Sequence, residues 1–158
     1  MSDLEAFQFL HPGELRDGEL SLVLERCLPI NPVSGWAPTY EFTMRVGGEV
    51  AGHINLRIGH TRNLTLYAGH IGYAVVPAFR GHHFAERACR LLFPLARAHG
   101  FTELWITANP DNYPSRRTCE RLGATLVEIV RLPEDCDMYL RGEREKCRYR
   151  VDLTKGNN

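Results

Sequence analysis

Hydrophobic and polar positions along this chain change their spacing several times, and each change marks a predicted element. Tyr40, Phe42, Met44 and Val46 alternate with Glu41, Thr43 and Arg45. A period of two belongs to a strand with one buried face, so 40–46 reads as extended. Gly47-Gly48 is a hairpin turn, and Glu49 to Ile58 is the returning strand. Upstream, Leu20 to Leu28 is rich in Leu and Val and stops at Pro29. It reads as a strand, with a short helix as the competing fit. Pro32, Gly35 and Pro38 make 31–38 a loop. A further loop is expected after Ile58, through Tyr67.

Past Tyr67 the spacing lengthens. His70 to Val76 is a short β-type run that ends at Pro77. After Ala78-Phe79-Arg80-Gly81, the apolar residues Phe84, Ala88, Leu91, Leu92, Leu95 and Ala98 fall mostly three or four apart. That is one face of a helix reaching His99, with Gly100 as its stop. Pro94 inside it removes one backbone hydrogen bond and predicts a bend. Leu104 to Thr107 is another strand, and Asn109-Pro110-Asp111-Asn112 is turn chemistry. Ser115 to Leu122 reads as a helix ending at Gly123. Thr125 to Val130 and Lys146 to Leu153 are final strands, separated by a polar loop with Pro133 and Gly142. An antiparallel hairpin followed by strand–helix–strand–helix–strand predicts an α/β (α+β) chain, with helices packed on a mixed sheet.

Composition narrows the function classes. The 158 residues suit one domain with one core. The formal net charge is zero, which disfavours a nucleic-acid partner. No apolar run is long enough to span a bilayer, and the acidic opening Met1-Ser2-Asp3-Leu4-Glu5 does not resemble a secretory signal. The expected location is the cytoplasm, with no membrane partner. Five cysteines, an odd number without a C-x-x-C, predict free thiols rather than a disulfide framework or a zinc site.

Candidate chemistry concentrates where the 70–76 strand turns into the long helix. The first turn of a helix carries backbone N–H groups without internal partners, at the positive end of the helix dipole. A pyrophosphate can be held there. Arg80 adds a planar fork of donors, Gly81 permits close backbone approach, and Ala85 keeps the next turn small. A plain strand–turn–helix connection with a solvated Arg80 is the competing reading, at about even odds on these grounds.

The run Val75-x-Pro77-x-x-Arg80-Gly81-His82-His83-Phe84-Ala85 resembles the acetyl-CoA pyrophosphate loop of the GNAT N-acetyltransferase superfamily, Gln/Arg-x-x-Gly-x-Gly/Ala. Asn112-x-x-Ser115 followed by Cys119-Glu120-Arg121-Leu122-Gly123 resembles the family's second conserved segment. The likeness covers about residues 69–124 and is nearest to the branch holding the ribosomal-protein N-terminal acetyltransferases.

The resemblance implies one GNAT domain over 1–158. Its sheet would be mixed and mostly antiparallel, with helices on both faces and a splay between His70–Val76 and Leu104–Thr107. It implies acetyl-CoA as cosubstrate. Main-chain groups of Ala74, Val75 and Val76 would bond the pantetheine arm. Arg80 and the backbone of Gly81, His82, His83, Phe84 and Ala85 would bind the pyrophosphate. Asn112 and Ser115 would hold the arm from the other side.

Three positions depart from the pattern. His83 replaces a usual Gly; a residue at a helix start needs no positive φ, so binding is expected to survive. Cys119 stands where many members have a Tyr that protonates the departing thiolate; it is either that proton donor or a small buried apolar residue, the latter weighted about two to one. Thr107 stands where some members carry a Glu base. His70, with a reference pKa of about 6.5, is then the candidate general base, against a structural histidine at equal weight. Tyr73, three residues on, faces away from His70, and Tyr139 is a further candidate proton donor or acceptor-site wall.

His82 with Glu86 lacks a third ligand, so no metal is expected. Arg116, Arg117 and Arg121 form a basic patch, solvated or set against the ribose phosphate. Trp36 either lines an acceptor cleft or covers the core. The expected reaction is direct acetyl transfer to a primary amine on a small molecule or peptide. The short loop between the first strands leaves the acceptor site open, or completed by a second subunit of a homodimer. The alternative is a CoA-binding sensor without turnover.

Overall fold

The structure is a computed structural model that describes residues 7–29 and 37–155. Trp36 and most of the proline-bearing loop lie outside the described residues. Five strands form one antiparallel sheet in sequential order: β1 (Leu15–Asp17), β2 (Leu20–Leu28), β3 (Thr39–Val46), β4 (Glu49–Arg57) and β5 (Ile71–Val75). The alternation along 40–46 is real: Tyr40, Phe42 and Met44 are buried, while Glu41 and Arg45 are partly exposed. Val46 pairs with Glu49 across Gly47-Gly48.

The second sheet holds β6 (Glu103–Ala108), β7 (Thr125–Arg131) and β8 (Glu145–Asp152), with β8 between the other two and both pairings antiparallel. No ladder joins β5 to β6 among the described residues. The expected mixed sheet is therefore split at the predicted splay, and what joins the halves is local. His70 donates its backbone N–H to the Trp105 carbonyl at 2.7 Å, and beyond that point the strands part.

Helix α1 (Phe84–Ala98) lies against the first sheet and buries Ala88, Cys89, Leu92, Phe93 and Ala96 into the common core. It continues through Pro94 and ends as expected at Gly100, whose φ of +90° lets Phe101 donate back to the Ala96 carbonyl. Helix α2 (Tyr113–Arg121) packs against β6 and α1. Its first turn is capped by Asn112, whose Oδ1 accepts from the Ser115 N–H at 3.3 Å. Arg87 on α1 bonds Asp17 and Glu19, tying the β1–β2 hairpin to the start of the helix.

Four pieces were not anticipated. They are β1, a π-helical turn at Leu64–Ala68, a 3₁₀ turn at Pro77–Phe79 and a short α3 (Asp137–Leu140). Each is five residues or shorter, below the length at which periodicity carries a signal.

Candidate functional site

β5 pairs with β4 along one edge only. The Val76 N–H donates to the Ala51 carbonyl at 2.8 Å, and the register matches His53 to Ala74 and Gly52 to Val75. Alternation in an antiparallel ladder then directs the main-chain groups of Ala74 and Val76 into β4, and those of Tyr73 and Val75 outward to the splay. This corrects the sequence expectation. Of the three residues assigned to a pantetheine arm, only Val75 has main-chain groups on the open side. Tyr73 joins it, and Val76 does not line the cleft.

A cleft of about 610 Å³ opens from this edge. Ala74, Val75, Asn112 and Ser115 line its strand end; Arg80, Gly81, His83, Phe84 and Ala85 line its far end. His82 does not line it; its ring turns toward Phe84. Among the described residues, no hydrogen bond uses the backbone N–H groups of Gly81 to Ala85. Arg80 folds back to the Val75 carbonyl through Nε at 3.2 Å.

His83 corrects a second expectation. It precedes α1 at φ +60°, the one non-glycine residue with positive φ among those described. The turn does demand a left-handed residue here, and a side chain there costs roughly 1–2 kcal/mol.

The basic patch divides. Arg116 is consumed structurally, donating to the Tyr149 hydroxyl at 3.0 Å and the Pro110 carbonyl at 3.0 Å. Arg117 and Arg121 line the cleft, and neither guanidinium is ion-paired among the described residues. Open amides, a left-handed turn and two unpaired cations around one cleft fit a phosphate-bearing ligand.

His70 is no candidate for proton transfer. Its ring is 1% exposed. Nδ1 accepts the Trp105 N–H at 3.0 Å, which places the proton on Nε2, and Nε2 donates to the Gly59 carbonyl at 2.8 Å. Burial pushes its pKa down to about 4. The ring is a neutral clamp joining three segments. Cys119 is fully buried, which puts it out of reach as a proton donor, and desolvation raises its thiol to about 12. It does not line the cleft. Thr107, in the base position, donates its hydroxyl to the Tyr67 carbonyl at 2.8 Å. Tyr139 borders a separate hollow, under the Arg144 guanidinium at 3.9 Å.

The group placed for chemistry is Tyr73. Its hydroxyl lies 2.8 Å from the Ser115 Oγ, and burial raises its pKa, which holds it as a phenol. Tyr73, Asn112 and Ser115 also line a second cavity of about 180 Å³ on the other side. The two cavities thus share Tyr73, Asn112 and Ser115 in their walls. The outward parity of 71, 73 and 75 was available in the sequence, but which edge of the strand stayed open was not.

The model of the acetyltransferase (GNAT) family matches residues 8–124. Curated proteins give no match. Among solved structures, one described as an acetyltransferase is 18% identical with a TM-score of 0.66, covering 93% of this chain and 90% of that one. The ribosomal L7/L12 alpha-N-protein acetyltransferase RimL in complex with coenzyme A is 19% identical with a TM-score of 0.58, covering 76% and 64%. The microcin C7 self-immunity acetyltransferase MccE, in complex with acetyl-CoA and AMP, is 20% identical with a TM-score of 0.57, covering 72% and 61%. The chain spans about three-fifths of the length of MccE and of a further structure described as a probable acetyltransferase, 61% and 62%. At these identities the likeness is one of fold.

Proposed function

The chain belongs to the acetyltransferase (GNAT) family, and on that premise we propose that it transfers an acetyl group from acetyl-CoA to a primary amine. The observation that carries the reading is the wall of Tyr73, Asn112 and Ser115 that two cavities share, one of them ending in unpartnered helix-start amides. Acetyl-CoA would supply an activated acyl group and a thiolate leaving group. The residues of the chain would do the rest.

The N–H groups of Gly81 to Ala85 would bind the pyrophosphate, with Arg80, Arg117 and Arg121 adding charge. The outward main-chain groups of Tyr73 and Val75 would hold the extended arm, with Asn112 and Ser115 opposite. An outward N–H of β5 would meet the developing negative charge on the carbonyl oxygen. The Tyr73 phenol would give its proton to sulfur as the C–S bond breaks and the C–N bond forms. The nitrogen loses one proton, so the exchange balances and Tyr73 is restored. No carboxylate lines the second cavity; the acceptor would enter as the neutral amine and shed its proton to solvent.

We read residues 1–158 as a single domain of this kind working in the cytoplasm. Its five cysteines are free, and no helix among the described residues is long and apolar enough to cross a membrane. A CoA-binding module without turnover is the second reading, favoured by the engaged Thr107 hydroxyl and the sequestered His70. Calorimetry with CoA and thiol release from acetyl-CoA across an amine panel separate the two. Micromolar binding with acceptor-dependent release supports transfer. Binding without release on any amine supports the module, and absence of binding removes both.

A further inference from the structure

Residues 7–14 form no helix or strand, yet their first part is tied to the body at one place. The Leu10 N–H donates to the Tyr40 hydroxyl at 2.7 Å. The Phe7 ring stacks on His99 with centroids 5.1 Å apart, and the Phe9 ring meets Tyr40 edge-on at 5.0 Å. Tyr40 and His99 are themselves joined, hydroxyl to Nε2, at 2.6 Å. Among the described residues, every hydrogen bond and ring contact from 7–10 to the rest of the chain falls on this pair.

One proton decides the state of the pair. Tyr40 is fully buried, and its hydroxyl has a single proton to give. The oxygen accepts from Leu10, so that proton goes to His99 Nε2, which must be bare. The imidazole is therefore neutral, with its own proton on Nδ1. A protonated ring carries N–H on both nitrogens. Nε2 would then aim a second donor at the same oxygen, and the phenol proton would be left in the core without an acceptor, which is disfavoured.

No neighbouring charge favours the protonated ring. From α1, Arg97 has its Nε engaged by the Leu153 carbonyl. From β3 comes Tyr40, and from β2 comes Cys27, paired opposite Tyr40. Residues 7–10 hold no ionisable side chain, and the exposed His11 takes the Gly13 N–H. No carboxylate lies within ion-pair distance of His99 among the described residues. Burial also holds the imidazole below its usual pKa.

We infer that Tyr40 and His99 form an acid-released latch on the N-terminal segment. Above the ordinary histidine range the phenol–imidazole bond is made and Leu10 is held. As pH falls and the ring takes up a proton, the charged imidazole is drawn to water. Phe7 then loses its stacking partner, and solvent reaches the Tyr40–Leu10 bond. The far end of the same stretch is pinned in another way. Arg87 grips Asp17 and Glu19, and its hydrogen bond holds the Glu19 carboxyl down to about 2. That grip outlasts mild acid, so release is confined to the residues before β1.

Amide hydrogen exchange tests this between pH 8 and 5, with protection at Leu10 read against Leu92, which is buried in the middle of α1. The expected result is a ten-fold or greater fall in Leu10 protection relative to Leu92, with a midpoint matching the titration of the His99 ring followed by NMR. His99→Gln keeps an acceptor for the phenol and carries no charge; it removes the step and leaves Leu10 protected at pH 5. Tyr40→Phe returns the His99 pKa toward the usual value of about 6.5. A Leu10 to Leu92 ratio that stays constant while His99 titrates would overturn the inference. So would an equal step in His99→Gln, or a His99 that titrates alike in wild type and Tyr40→Phe.

Discussion

The two ends of β5 are built on opposite rules. At its start, every polar group finds a protein partner. His70 spends both ring nitrogens and its backbone N–H on Gly59 and Trp105. Three residues on, the same strand turns the main-chain groups of Tyr73 and Val75 to an open edge, where Arg80 takes the Val75 carbonyl. The turn that follows leaves the amides of Gly81 to Ala85 without partners. Paired groups at the closed end hold the two sheets together; unpaired groups at the open end are what a ligand can use. Gly81 to His83 are exposed, so water holds their amides until a ligand replaces it, and this gradient along one strand separates stability from binding.

The largest effect expected from breaking the comparison is at the closed end. His70→Ala leaves the Trp105 N–H and the Gly59 carbonyl without partners and opens a hole between three segments. Each orphaned group costs about 1–3 kcal/mol, so a loss of about 3 kcal/mol is expected in urea unfolding. Turnover per folded molecule stays within about two-fold; a hundred-fold fall in kcat instead would return His70 to the role of base. The same ring sets an acid limit. The unfolded chain takes up its proton near the usual 6.5, the folded one only near 4. Between those values the unfolded state binds more protons, so stability falls as pH falls, by about 3 kcal/mol in all. In His70→Ala that slope between pH 6.5 and 4 is missing.

At the open end the order of effects reverses. Tyr73→Phe removes the hydroxyl beside Ser115 Oγ and little packing. We expect kcat to fall about a hundred-fold, equivalent to about 2.7 kcal/mol, with the melting temperature and the Kd for CoA nearly unchanged. Equal loss of CoA affinity would make Tyr73 a wall rather than an acid. Because no carboxylate lines the acceptor cavity and His70 is enclosed, turnover should follow the neutral fraction of the amine. It rises about ten-fold per pH unit above neutrality until the pKa of the acceptor itself, about 10 for an alkyl amine. A plateau setting in near pH 6.5 would point to a histidine base.

How much of this was legible follows the same division. β3 and α1 were readable because burial of one face writes a repeat into the sequence, while β2, β4 and β6 were read from apolar runs and the Gly47-Gly48 turn. The strand–turn–helix proposed to hold the pyrophosphate was readable from Arg80-Gly81 and the helix start. What failed depended on contacts that cross the chain. His70 looked like a base by residue type, but its fate is decided by Gly59 and Trp105, 11 and 35 residues away. Cys119 stands where the resemblance implied a proton donor, yet packing buries it, and Tyr73 lines the cleft instead. Which main-chain groups of 73–76 face outward is fixed by pairing with β4, and one strand's sequence carries no record of that edge.

His83 lies where the two rules meet, and the smallest effect is expected there. Its φ of +60° costs a side chain energy that glycine does not incur. Glycine in turn loses more freedom on folding, about 0.4–1 kcal/mol. Comparing His83→Gly with wild type would therefore read two nearly cancelling quantities. Comparing His83→Gly with His83→Ala isolates the strain, because both lack the ring. At an ordinary helical position alanine is the more stable of the two by about 1 kcal/mol. Here the sign should invert, with the glycine variant more stable by about 1 kcal/mol, or roughly 2–4 °C in melting temperature for a chain of this size. The glycine variant should also bind CoA a few-fold more tightly than the alanine variant, since its β-carbon no longer narrows the approach to the amides. Alanine winning on both readings would mean that the turn relaxes once the imidazole is gone, and that the open end is not held in its left-handed form by the backbone.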